Sequence, residues 1–323
     1  MKKTILSILM TAFIITITYG QITTTKVAQP KETIDNTPYD SLDNFVGKNA
    51  RKYIGQELYL TGLGEGLREY GYDGFVKDYT KDKFSNKSNI YQCCSGYNSK
   101  YEALNEKYFK VLDVINHPQA KENELLYGSK YFLKLEEKAS KDIVYFEYDS
   151  RFAHAFPFIV VGFFEKQKKQ LPGQEFVLTN RILKVSTGRG LDITTGKPLT
   201  ITTGEKWICK DITIEEKYYE LALVISNSIG ETTTVSYDAV FDDRKFAYTL
   251  LQANNYRENF GNENLDKILQ AKVTIGMTKE MCRLSWGKPK SINETITSEN
   301  KTEQWVYADS YLYFENGILT AIQ

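Results

Sequence analysis

An internal repeat restricts this chain's fold more than any other feature of its sequence. Phe45, Lys48, Gly55-Gln56-Glu57 and Leu60-Thr61 recur 118 positions later as Phe163, Lys166, Gly173-Gln174-Glu175 and Leu178-Thr179. Two later windows match in the same order. Phe109–Val114 pairs with Trp207–Ile212 at a spacing of 98, and Tyr145–Asp149 pairs with Thr234–Asp238 at a spacing of 89. Order is kept while spacing shrinks, as it must be if the first copy carries insertions. The reading is two related modules, 45–160 and 161–243, followed by a C-terminal region, 244–323.

Each module opens on a short polar helix that ends at a Gly. Strand-like runs follow at 57–60, 108–115, 131–135 and 143–148, and again at 175–178, 207–214, 218–225 and 232–237. They are rich in Val, Ile, Tyr and Phe and are bounded by Gly, Asn, Asp and Pro. The expected class is mainly β, with each module a small antiparallel barrel or sandwich and an SH3-like barrel as the specific expectation. The first module's insertion, 62–100, is rich in Gly, Lys and Asn and has the size of a functional loop.

Ahead of the repeat, Lys2-Lys3 and the apolar stretch Ile5–Ile17 lead to Thr18-Tyr19-Gly20. This pattern predicts a secretory signal peptide, 1–20, cleaved near Gly20–Gln21. The apolar run is shorter than a membrane span, and no Cys stands by the cleavage site to take a lipid anchor. Residues 21–44 read as a flexible linker. Cleavage removes Lys2 and Lys3, leaving 39 Lys+Arg against 41 Asp+Glu. An exported, nearly neutral chain, periplasmic or extracellular and without a transmembrane span, is expected, and its charge balance argues against nucleic acid as a partner.

In the C-terminal region, Leu265, Ile268 and Leu269 have helical spacing, and Gly276-Met277-Thr278 opens a second helix with Thr278 as N-cap. Cys282 and Trp286 share one face of that helix, and Gly287-Lys288-Pro289 ends it. Trp305-Val306-Tyr307, Tyr311–Phe314 and Ile318–Ile322 follow as three strands, with Asn316-Gly317 suited to a type I′ hairpin. This arrangement resembles the SmpA/OmlA (BamE-like) family of bacterial envelope proteins over about residues 260–323. The resemblance implies a two-helix, three-strand α+β domain in an envelope protein, with Gly276, Met277, Thr278, Cys282, Trp286, Gly287, Pro289, Trp305, Tyr307 and Gly317 as structural motif positions. The family's N-terminal lipidated Cys has no counterpart here.

Convergent chemistry is sparse. Four cysteines allow three pairings, and any bridge is expected to use Cys93 or Cys94, with the partner open; Cys209 and Cys282 read as buried thiols. His117 precedes Pro118 and reads as a turn. His154, between Phe152 and Phe156, reads as a neutral histidine in an apolar setting. Gly62-Leu63-Gly64-Glu65-Gly66 has the wrong spacing for a phosphate loop and reads as a mobile loop. No catalytic set, metal site or cofactor site is expected. The leading expectation is a non-enzymatic envelope protein that binds an unidentified protein partner or acts as a scaffold. Glycan or peptide binding and enzyme inhibition are the alternatives, and a hydrolase is the weakest of the readings.

Overall fold

The computed structural model describes residues 38–181, 190–199, 202–241, 246–296 and 301–323. The signal segment and cleavage site lie outside the described residues. A 3-10 helix (Gly47–Tyr53) leads into β1 (Glu57–Leu60). The insertion carries a second 3-10 helix (Glu65–Tyr70), β2 (Phe75–Val76), the pair β3 (Cys93–Ser95) and β4 (Asn98–Ser99), and one turn of helix, α1 (Tyr101–Leu104). Then come β5 (Tyr108–Asn116), α2 (Glu124–Tyr127), β6 (Lys130–Glu137), β7 (Ile143–Asp149) and β8 (Phe158–Val160). The second unit runs α3 (Val161–Gln170), β9 (Glu175–Leu178), β10 (Lys206–Ile214), β11 (Leu221–Ser226), β12 (Thr232–Ser236), α4 (Tyr237–Phe241) and β13 (Ala247–Thr249). Helices α5 (Leu250–Phe260), α6 (Asn262–Leu269) and α7 (Lys279–Trp286) precede β14 (Ser291–Ile296), β15 (Lys301–Val306), β16 (Tyr311–Glu315) and β17 (Ile318–Ile322).

The first two sheets repeat each other's wiring. Strands β7-β6-β5-β1-β8 lie in the order of β12-β11-β10-β9-β13, all antiparallel. The correspondence reaches single hydrogen bonds. Gly55 N–H donates to the Val111 carbonyl and Gly173 N–H to the Cys209 carbonyl, each at 2.8 Å. Both glycines sit at positive φ, +84° and +88°, where a Cβ would strain the turn from helix to strand. A bulge between Val111 and Asp113 has its twin between Cys209 and Asp211. At each one the Asp carboxylate accepts the next residue's N–H at 2.8 Å, which supplies a partner where the ladder slips. Thr61 donates its N–H and hydroxyl to the Pro157 carbonyl, and Thr179 does the same to Phe246.

Among the described residues, neither sheet closes into a barrel. In the first, β7 pairs with β2 of the insertion; in the second, Thr232 at the start of β12 exchanges bonds with Asp192 and Ile193. Those partners use edge groups that closure would otherwise need. The expected strand at 218–225 starts only at Leu221, because the Glu215 carboxylate accepts the N–H groups of Lys217 and Tyr218 and holds a turn there. Strand β13 pairs with β9 and carries the second sheet to Thr249.

Alternation divides the strands between three cores. Leu58 and Leu60 face the first, with Phe109, Leu133 and Phe158. Burying side chains of this size contributes about 1.5–3 kcal/mol each. Phe176 and Leu178 face the second core with Trp207, while Val177 on the opposite face of β9 joins the third, under the C-terminal helices. Tyr248 reaches the same joint and donates its hydroxyl to the Leu284 carbonyl at 2.8 Å. Phe164, Leu221 and Tyr237 pack against both of the first two cores. The C-terminal meander has four strands, β14-β15-β16-β17, where three were expected. Strand β14 is exposed along its whole length and is held by its ladder with β15.

Candidate functional site

The outer face of β6 and β7 forms the floor of a groove of about 930 Å³. Pleating points Leu133 and Phe146 toward the first core and presents Lys130 and Phe132 of β6, with Tyr145, Glu147 and Asp149 of β7, on the other side. The insertion contributes residues from Asp73 to Phe84, the connection before β6 contributes His117 and Tyr127, and the turn after β7 contributes Phe152 and His154. The chain has two histidines, and both line this groove.

Aromatic rings run along it. Tyr127 stacks on His117 at 4.2 Å, His117 stacks on Phe132 at 5.3 Å, and Tyr79 lies 5.9 Å from Phe132 and 5.0 Å from Tyr145. Phe84 and Phe152 are 64% and 44% exposed at the rim of the groove. Burial between two rings pushes the His117 pKa below its ordinary 6.5, with Glu147 opposing and Lys130 reinforcing the shift. His117 Nδ1 accepts the Gln119 N–H at 3.2 Å, which keeps the proton of the neutral ring on Nε2.

The charged groups of the groove are already engaged. Lys130 pairs with Glu147, Lys83 with Asp73, and Lys81 with Asp78. Arg151 makes a two-pronged contact to Asp149 at 2.9 and 2.6 Å, which holds that carboxyl below its usual range. Asp82 accepts the Ser85 hydroxyl and the N–H groups of Phe84 and Ser85.

The second unit lacks this floor. The ladder registers place Ala222, Thr234 and Ser236 where the first unit has Phe132, Tyr145 and Glu147. Its β10–β11 connection is a tight turn, whereas the corresponding segment in the first unit extends through His117 and Tyr127. Reading the two repeats against each other at these positions is the sequence signal that marks the groove.

Of the residues singled out from sequence, the C-terminal motif gathers into a core. Thr278 caps α7 by accepting the Met281 N–H, Gly287 at φ +82° ends it, and Asn316 and Gly317 both take positive φ, as a type I′ turn requires. Met277, Cys282, Pro289 and Trp305 are buried. Trp286 donates its indole N–H to Ala271, Trp305 donates to Glu303, and Tyr307 donates its hydroxyl to Gly287. Gly276, at φ +92°, precedes this set.

Cys93 and Cys94 are bonded to each other, so neither reaches Cys209 or Cys282. Those two are free and buried, and burial raises their thiols to about 11 and about 12, far from a reactive thiolate. His154 is exposed, contrary to the apolar setting read from its neighbours. A 3-10 turn at Ala153–Ala155 carries it outward, and Phe156 alone of that run turns into the core. The glycine-rich segment is tied down as well: Gly62 lies against the Tyr219 ring, and Arg68 sits over Tyr101 and Tyr219.

Among the described residues, no helix is long and apolar enough to cross a membrane. Comparison with family models, with curated proteins and with solved structures finds no match to this chain.

Proposed function

We propose that this is an exported, non-enzymatic binding protein of the bacterial envelope, in which the first repeat holds the ligand or partner and the rest is scaffold. The observation that carries the reading is the aromatic groove on β6 and β7, whose floor residues Phe132 and Glu147 are Ala222 and Ser236 in the second repeat and whose β5–β6 connection, with His117 and Tyr127, is longer than its β10–β11 counterpart. A duplicated unit that acquires a lined groove in one copy has divided its labour between binding and support. The repeats are read as open SH3-like units, with a helical turn before the last strand of each. The tail is read as a BamE-like docking element, with one more strand than the family resemblance implied. Two engaged features favour binding over catalysis: the Nδ1 lone pair of His117 is occupied, and both free thiols are held protonated by burial.

The test is retention on isolated bacterial envelope. Phe84 and Phe152 are exposed, so F84S/F152S keeps the core intact. Cosedimentation of the parent chain and its loss in the double variant are expected, with unchanged circular dichroism. Equal retention of parent and variant overturns the reading, as does failure of the parent to sediment.

A further inference from the structure

We infer that the groove of the first repeat takes a neutral oligosaccharide; this rests on the binding role proposed above. The argument is one of complementarity. Lys81, Lys83, Lys130 and Asp149 each have a counter-charge within the chain, and Asp82 accepts three local donors. An anionic ligand would have to compete with a carboxylate for each of these lysines, and a cationic one finds Asp82 alone among the described lining carboxylates without an ion pair, so the groove offers little to a charged ligand.

What it offers instead is flat apolar area and oxygen acceptors. Tyr79, Phe84, Tyr127 and Phe152 line it with rings, and Asp73, Asp82, Glu147 and Asp149 each accept fewer bonds than the roughly four a carboxylate can take. A pyranose has that pairing of surfaces: C–H faces that lie on aromatic rings and hydroxyls that donate to carboxylates without carrying charge.

An extended peptide fits less well. Peptides that join a sheet need a free edge. The edge strand here, β2, is occupied, because Lys77 N–H donates to the Asn89 carbonyl at 2.8 Å and Tyr91 N–H to the Phe75 carbonyl at 3.1 Å. A proline-rich peptide brings carbonyl acceptors and few donors to a groove already dominated by acceptors.

The experiment is calorimetric titration of the tag-free chain from Gln21 onward with cellohexaose, with chitohexaose and with a neutral proline-rich decapeptide. The two histidine Hε1 signals are followed by NMR in parallel. Binding of at least one hexasaccharide is expected, with movement of both signals and at least tenfold weaker affinity in F84S/F152S. No binding of either sugar overturns the inference, and so does sugar binding that the double variant leaves unchanged. If the peptide alone binds and moves the histidine signals, the sugar assignment falls while the groove remains the binding site. Loss of that broader reading is registered separately, by equal envelope retention of parent and variant.

Discussion

Replacing Phe132 by Ala gives the first repeat the residue that the second carries at Ala222, and it separates the groove floor from the core beneath it. Phe132 is 5% exposed, so truncation forfeits about 1.5–3 kcal/mol of apolar burial. Its ring contacts with His117 and Tyr79 add about 0.5–1.5 kcal/mol each where the geometry is favourable. Water can enter the vacated space from the open side, so no sealed void adds to the loss. A destabilisation of about 3 kcal/mol is expected in urea unfolding, at the low end for Phe→Ala. Leu133→Ala, one residue on and 0% exposed in the core, costs about 2–5 kcal/mol, so stability alone does not separate the two faces. His117 does. Its depressed pKa moves up toward 6.5 in F132A, because one of the two covering rings is gone, and stays put in L133A. The sign in stability follows: a histidine whose folded pKa is lowered contributes fully above about 6.5, and that contribution is lost as pH falls through the folded value. The parent therefore loses more stability on mild acidification than F132A. A loss below about 1 kcal/mol in F132A together with an unchanged His117 titration would refute the stacked arrangement.

A Cβ at Gly62 would fall inside the Tyr219 ring, so G62A is expected to cost about 1–3 kcal/mol in thermal unfolding, with much of the loss recovered in G62A/Y219A; an unchanged Tm in G62A contradicts the contact between the repeats. Burial raises the Glu137 carboxyl, but Ser140, Ala139 and Lys107 outweigh it and hold the pKa at about 2. Its contribution is therefore complete above about pH 4.5 and lost as pH falls toward 2, and E137Q should show a shallower acid limb in an unfolding series from pH 6 to 2. Cys209 and Cys282 should resist iodoacetamide at pH 8 in the native chain and be alkylated after unfolding in guanidinium; native modification found by peptide mass spectrometry would contradict their burial.

The strands that the repeat and its alternation announced are those whose two faces meet different surroundings. Strands β5 and β10 alternate, and the shared Asp113 and Asp211 that supported the alignment prove to be the residues that partner the two bulges. Strand β8 hid because Phe158, Ile159 and Val160 are all buried, and three apolar residues carry no period. Strand β14 hid for the opposite reason, since exposure throughout leaves only its backbone ladder to define it. The meeting of the groove's rings was illegible for a third. Those rings come from four separate segments, and Tyr79 meets Phe132 only because the insertion folds back over the sheet. Nothing local to Tyr79 encodes that meeting. The turn chemistry of Asn316-Gly317 was legible because two successive residues satisfied it without tertiary help.

Composition has placed natural reporters on either side of the central claim, that the first repeat binds and the remainder supports. Both histidines line the first unit's groove, while Trp207, Trp286 and Trp305, the three tryptophans of the chain, all lie in the second unit and the C-terminal domain. One NMR titration of the tag-free chain with solubilised bacterial envelope extract therefore reads both sides at once. Binding at the groove shifts or broadens the His117 and His154 signals and leaves the three indole signals in place. Movement of the indole signals with both histidines unchanged would contradict the claim.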